Sequence, residues 1–404
     1  MNSPRKNPID NVRVYICAGL LSACGALLLN VMPVLFGAIG ETLGYGEQQL
    51  GTLALASNLA FALVGVISLA WLGVFSWRTI AAVATVIVTL GILAILNKPS
   101  YGQLLVIMAV AGGATGALYA LAMVIFGGSD RPERAFGFKL GMESIPGAAL
   151  LILLPVAVAP QWGFDGILIV LAASALLMGL ALFGVPSRAV KREDLIAASI
   201  HADAGKHQFI VWMSLAASLV FMTGIMAVWP FLELIGKKTG LSSNEIGAVL
   251  SIGFLINAIG GFIASSLGLK LGRVLPVAAI VAVVLVGLVI IGQFTSMTTF
   301  TVGTLLFLLS INFVLAYTFG LMAEFDTSGK LVALGTVCIS LGAAFGPAIA
   351  GDLIERYGYS AALIFSGVCA VLTLVIHAGL SMRASALQQG ARTPGADALK
   401  AARR

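Results

Sequence analysis

Twelve apolar runs follow one another along this chain, and together they leave it very few folds to choose from. They lie at about 14–38, 50–75, 79–96, 102–126, 137–159, 165–186, 208–235, 246–268, 274–294, 300–324, 331–352 and 359–381. A helix rising 1.5 Å per residue crosses the hydrocarbon of a bilayer in about 20 apolar residues. The third run is short, and only Ser76, Trp77 and Arg78 separate it from the second. Composition agrees with spans rather than with a soluble core. Of 404 residues, 59% are hydrophobic and 10% charged, against about 25% charged in a soluble protein. A soluble enzyme, a disordered chain and a nucleic-acid binder are thereby excluded. The expectation is an all-α polytopic membrane protein with twelve transmembrane helices.

The basic residues test that count. With a cytoplasmic N-terminus, 19 of the 23 Lys and Arg fall on the cytoplasmic side, and only Lys98, Lys237, Lys238 and Arg356 fall outside. Short loops retain positive charge on the cytoplasmic side, and a wrong span count would scramble the alternation. Both termini are therefore expected in the cytoplasm, in the inner membrane of a bacterium. The net charge of +6 is then an address on the inner surface and not a nucleic-acid patch. Residues 1–11 lack the apolar stretch and small-residue cleavage site of a signal peptide. Cys17, Cys24, Cys338 and Cys369 all lie in apolar runs without metal-ligand spacing, so they read as small core residues. No metal and no cofactor are expected.

The two halves share one plan. At an offset drifting only between 195 and 198, Val31-Met-Pro33 meets Val228-Trp-Pro230, and Gly51 and Gly65 meet Gly247 and Gly261. Arg78 falls on Arg273, Tyr119 on Tyr317, Gly137 on Gly335 and Gly163 on Gly358. The division expected is residues 1–186 as one six-helix bundle, 187–207 as a charged cytoplasmic loop, and 208–404 as a second bundle with a cytoplasmic tail. Carriers built from such repeats hold substrate near the midplane at the repeat interface and rock the halves.

Twelve spans in a 6 + 6 repeat with a charged central loop resemble the major facilitator superfamily over nearly the whole chain. That family's loop after its second span reads G-x-L-a-D-R-x-G-R-[RK]. The counterparts are GVISLAWLGVFSWR (Gly65–Arg78) and GFIASSLGLKLGR (Gly261–Arg273). Both keep a basic end and lose the acid, which in the second is replaced by Leu269. The resemblance implies that this acid latches the cytoplasmic face, so its loss counts against that latch. Arg78, Lys270 and Arg273, with Asp130 and Arg134 of the inner loop, are the candidate gating residues.

Polar side chains inside spans tend to face the bundle interior or a cavity. Asn257 and Asn312 lie near the midplane, Asn30 and Asn58 off-centre, and Tyr119 and Tyr317 at matching depths toward the cytoplasm. With Trp229 beside Pro230, these are the candidate cavity residues, each weighed against plain helix packing. Asn30 leads for binding, whereas Asn257 and Asn312 also suit a helix-to-helix tie. Glu143 is the carboxylate set well inside a span. It is the candidate proton site, with an ion pair to Lys139 one turn earlier as the structural alternative. His377 reads as packing, and Glu233, Glu324 and Asp352 as span-end groups reaching water. Pro33, Pro146, Pro230 and Pro347 are candidate points of helix bending. Pro146-Gly147 and Gly346-Pro347 faintly resemble the glycine-proline motif of drug/proton antiporters.

These residues favour a secondary active transporter of a small, mostly apolar or weakly charged organic compound, working by rocker-switch alternating access with optional proton coupling. Export is slightly favoured over import. Lys, Arg and Asp are missing from the middle third of every span, which argues against a tightly held multivalent anion. A lipid or lysolipid carrier, a scramblase-like protein and a non-transporting sensor remain the alternatives on this fold. No catalytic constellation or P-loop is present, so an enzyme is not expected. The expected partners are the solute, protons and the bilayer, around a monomer.

Overall fold

The computed structural model describes residues 9–72, 74–129, 132–187, 208–238, 240–293, 296–325 and 330–401. Among these residues every regular element is a helix. Ten helical stretches are long and apolar enough to cross a membrane. One of them, Phe138–Gly184, runs to 47 residues, a path of about 70 Å if straight and more than twice the hydrocarbon thickness. It holds two crossings, because Gly163 at φ 58° and ψ −149° reverses the chain within it. Only glycine takes such a conformation without strain. Two shorter apolar helices, Val12–Gly25 and Met32–Leu43, supply the remaining crossing.

We number the twelve crossings in chain order. α1 is broken into Val12–Gly25, Leu27–Asn30 and Met32–Leu43, and α2 is Glu47–Trp71. α3 is Trp77–Ala94, α4 is Tyr101–Gly127 and α5 is Pro132–Leu153, continued by a π-helical turn over Leu154–Val158. α6 is Ala159–Gly179 and ends in Leu180–Gly184. α7 consists of Gln208–Met226, Trp229–Phe231 and Leu232–Lys238. α8 is Ser243–Leu267, α9 Val274–Gln293, α10 Met297–Phe325, α11 Lys330–Tyr357 and α12 Tyr359–Ala401. The face where α1 begins is called inner below, and the opposite face outer.

The breaks follow the sequence repeat. α1 restarts at Met32-Pro33, and α7 passes through a short 3-10 turn at Trp229-Pro230. Proline lacks the N–H that would continue the preceding ladder. Pro146 and Pro347 sit inside uninterrupted helices instead, while α5 loosens at Pro155. Outer turns are fixed locally. Ser100 and Gln103 cap α4, Ser242 and Glu245 cap α8, and Gly44 ends α1 at φ 72°.

Within each half, small residues let helix backbones approach. Side chains added at Gly112 or Gly116 of α4 would collide with the Ser57 and Phe61 main chain of α2. Gly342 and Gly346 of α11 meet α7 in the same way, at the main chain around Leu219 and Thr223. Such contacts replace the hydrophobic drive that lipid cannot supply between helices.

One residue departs from its expected surroundings. Glu233 does not reach water at its span end but is only 3% exposed. The reason lies in α1, where Gly37 has no side chain and the Glu233 carboxylate fills the space.

Candidate functional site

The contacts between the halves are concentrated toward the outer face. Between α2 and α11, Gly51 lies against the Pro347 carbonyl and Gly351 against the Glu47 carbonyl, too close for any side chain at either glycine. Gln48 Nε2 donates to Asp352 Oδ1 at 3.1 Å, and Tyr359 Oη of α12 donates to Glu47 Oε1 at 2.7 Å. Deeper in, Asn58 Nδ2 donates to the Ala343 carbonyl at 2.9 Å. Between α5 and α8, Gly247 packs on Leu151 and Pro155, and Ser251 Oγ donates to the Ala148 carbonyl at 2.8 Å. Between α1 and α7, Lys237 Nζ sits 2.8 Å from Glu41 and 2.7 Å from Glu233. Three separate seams thus hold the outer face shut.

The seams end on a small cluster near the midplane. Trp229 Nε1 donates to the Leu29 carbonyl at 3.1 Å, pinning the break in α7 to the break in α1. Its ring lies 6.0 Å from that of Phe254 on α8. Gly147 of α5 packs between Phe254 and the Asn30 side chain, which is itself buried. Asn30 and Trp229 therefore share one place, where four helices from both halves meet. Inward of it, Leu63, Val66 and Ile67 of α2 are exposed, and the space around Gly65 is open.

Below this cluster, inside the first half, lies a buried charge pair. Lys139 and Glu143 of α5 form an ion pair at 2.7 Å. Ser22 Oγ of α1 donates to the same oxygen, Oε2, at 2.8 Å. The ammonium also sits 4.0 Å above the Tyr119 ring of α4, and the Phe61 ring of α2 lies 5.4 Å from that of Tyr119, tilted by 56°. Lys139 is 1% exposed, while the Glu143 side chain retains 15%. Both bonds fall on Oε2, so Oε1 is the oxygen outside them. The ion pair that competes with a proton-site reading of Glu143 is present, and it includes a lysine the charge count had assigned to the inner surface.

The remaining candidates make contacts of their own. Asn257 and Asn312 bond each other: Asn312 N–H donates to Asn257 Oδ1 at 3.0 Å, and Asn312 Nδ2 to the Asn257 carbonyl at 3.3 Å. This ties α8 to α10. Tyr317 Oη donates to the Gly268 carbonyl at 2.7 Å, holding the inner end of α8. Arg78 Nε donates to the Val185 carbonyl at 3.0 Å and anchors α3 to the end of α6. Lys270 and Arg273 lie in the turn between α8 and α9. Asp130 and the side chain of Arg134 lie outside the described residues, as does 188–207 of the central loop. Among the described residues no group of three or more His, Cys, Asp or Glu is placed to hold a metal.

The triad Glu41–Lys237–Glu233 escaped the sequence reading. Its signal was the i, i+4 spacing in ELIGKK, but nothing in the sequence indicated that α1 would bury it.

Two broken-helix repeats meeting along α1/α7, α2/α11 and α5/α8 define a polytopic helical membrane fold. The family model of the Major Facilitator Superfamily matches residues 14–328 and 214–397, and the chain belongs to that family. No curated relative matches the sequence. Among solved structures it is similar to a point mutant of the nucleoside transporter NupG, with a TM-score of 0.72 at 10% identity over 92% of this chain and 100% of that one. A bacterial homologue of the human lysosomal transporter Spinster, described as inward-facing and unoccupied, gives 0.68 at 14% identity over 93% and 97%. The human organic anion transporter MFSD10 gives 0.62 at 18% identity over 92% and 100%. At these identities the likeness is one of fold.

Proposed function

We propose that this family member is a secondary active transporter that carries a small, weakly charged organic compound by alternating access, in a cytoplasmic membrane with its inner face toward the cytoplasm. The reading rests on one observation: the outer face is sealed by three seams, while α2 is exposed and loosely surrounded inward of them. Such an arrangement fits an inward-facing state in which Asn30, Trp229 and Phe254 form the roof of the substrate site. The scarcity of free charge there suits an apolar or singly charged solute.

Glu143 is the proposed proton carrier. Protonating it would remove the charge that neutralises Lys139, and so would change how α5 is held against α1 and α4. The halves are proposed to act as a single monomeric unit, 1–186 against 208–404. A thermal-shift panel of diverse compounds at two pH values identifies the solute class, and uptake into proteoliposomes then tests transport. For a stabilising compound, Glu143→Gln is expected to abolish the pH dependence of uptake. PH-dependent uptake that survives the substitution would remove Glu143 from the coupling.

A further inference from the structure

The inner turn between α8 and α9 contains a second built feature, remote from the roof. A cavity of about 420 Å³ opens there, lined by Leu269, Gly272, Arg273, Val274, Ser381 and Ser385, with Met382 at its rim. Arg273 and Val274 bring the start of α9 into its lining. A helix start leaves its first N–H groups without intrahelical acceptors and carries partial positive charge, and the first turn of α9 contains no acid. Pro276 removes one of those donors.

Ser381, on the inner part of α12, points independently to a ligand. It is 3% exposed, lines the cavity, and its hydroxyl has no hydrogen-bond partner among the described residues. A buried hydroxyl without a partner is costly, and here it stands beside a helix start and an arginine. Charge around the cavity has one sign. Residues 266–278 and 376–388 contain Lys270, Arg273 and Arg383 and no Asp or Glu. The rim is greasy instead: Leu269 is 61% and Met382 66% exposed. Leu269 is the residue that stands where the related loop motif carries its acid.

We propose that this cavity binds the phosphodiester of an acidic phospholipid from the inner leaflet. The phosphate is held by the α9 N-terminus, Arg273 and the hydroxyl of Ser381, and the acyl chains lie along Leu269 and Met382. Helix N-termini are suited to phosphate, and basic pockets between transmembrane helices on the inner side suit anionic headgroups. The choice of an acidic lipid over a zwitterionic one follows from the absence of a carboxylate in either segment to receive an amine or choline. The proposal does not depend on the transport reading above, because it concerns lipid occupancy and not solute movement.

The test uses the detergent-purified full chain with phosphatidylglycerol, phosphatidylcholine or inorganic phosphate, read by native mass spectrometry and by melting temperature. Phosphatidylglycerol is expected to bind at least about fivefold more tightly than phosphatidylcholine, the scale of one juxtamembrane charge. Ser385 is exposed at the mouth of the cavity, so Ser385→Glu places a negative charge there without disturbing the core. It is expected to lose that preference, while Ser385→Gln keeps it. Arg273→Gln should weaken phosphatidylglycerol in the same direction. Equal binding of the two lipids, or a preference unchanged in both Ser385→Glu and Arg273→Gln, would overturn the proposal. Stabilisation by inorganic phosphate alone that Ser385→Glu abolishes would also overturn it, by assigning the site to a soluble anion.

Discussion

Replacing Lys237 with Met tests how the outer face is kept shut. In the closed arrangement Glu233 is buried against Gly37, one of its oxygens is paired with Lys237, and the other, Oε2, has no partner among the described residues. Removing the lysine leaves a buried carboxylate with no counter-charge, which typically costs about 3–5 kcal/mol. The Lys237–Glu41 arm adds little, because the Glu41 side chain is 61% exposed and exposed pairs contribute about 0–1 kcal/mol. Separating α1 from α7 would let water reach Glu233 and recover most of the cost. Lys237→Met should therefore shift the balance toward outer opening by about 3 kcal/mol, or roughly 100-fold. Spin labels at Thr42 and Asn244, both exposed near the outer ends of α1 and α8, report the change as a longer distance in pulsed electron resonance. Adding Glu233→Gln removes the orphaned charge and should restore the short distance. If Lys237→Met and the wild type give the same distance distribution, the triad does not hold the seal.

Gly51→Leu drives a side chain into the Pro347 carbonyl, so it should prevent the α2/α11 seam from closing and make outer cysteine probes on α11 reactive. Trp229→Phe keeps the ring beside Phe254 and loses only the bond to the Leu29 carbonyl. It should cost about 1 kcal/mol in denaturant unfolding, with Trp229→Ala costing more. Asn312→Leu removes the Nδ2 bond to the Asn257 carbonyl and leaves the main-chain N–H bond to Asn257 Oδ1, so it should destabilise by about 0.6 kcal/mol, at most about 2, without changing which side is open. Loss of solute binding in that variant would show that the pair serves the site instead.

The fold was legible because lipid imposes strict rules on sequence. Span length and the alternation of Lys and Arg are set by the bilayer, the near-constant offset reflects a repeated helix plan, and the helices lie where the apolar runs do. Pro33 and Pro230 lie at helix breaks, where a missing N–H is a property of the residue alone. The site was less legible because partners are chosen by packing. Asn58 gave no sign that its acceptor would be a carbonyl of α11, 285 residues away. Lys139 looked like an inner-surface lysine, yet the Tyr119 ring and Glu143 cover it inside the bundle. Glu233 looked wet because span ends usually are, and only the missing side chain at Gly37 of another helix makes it dry.

Alternating access is most directly measured by the sidedness of a single reactive position. Ser144 adjoins Glu143 on α5, inward of the roof. A Ser144→Cys protein with Cys17 and Cys338 replaced would be labelled by a membrane-impermeant maleimide applied to one face at a time. Labelling from the inner face is predicted for the parent protein, with outer-face labelling appearing once Lys237→Met releases the seal. A cysteine there that reacts from the outer face in the parent, or never from the outer face even with Lys237→Met, would contradict the account.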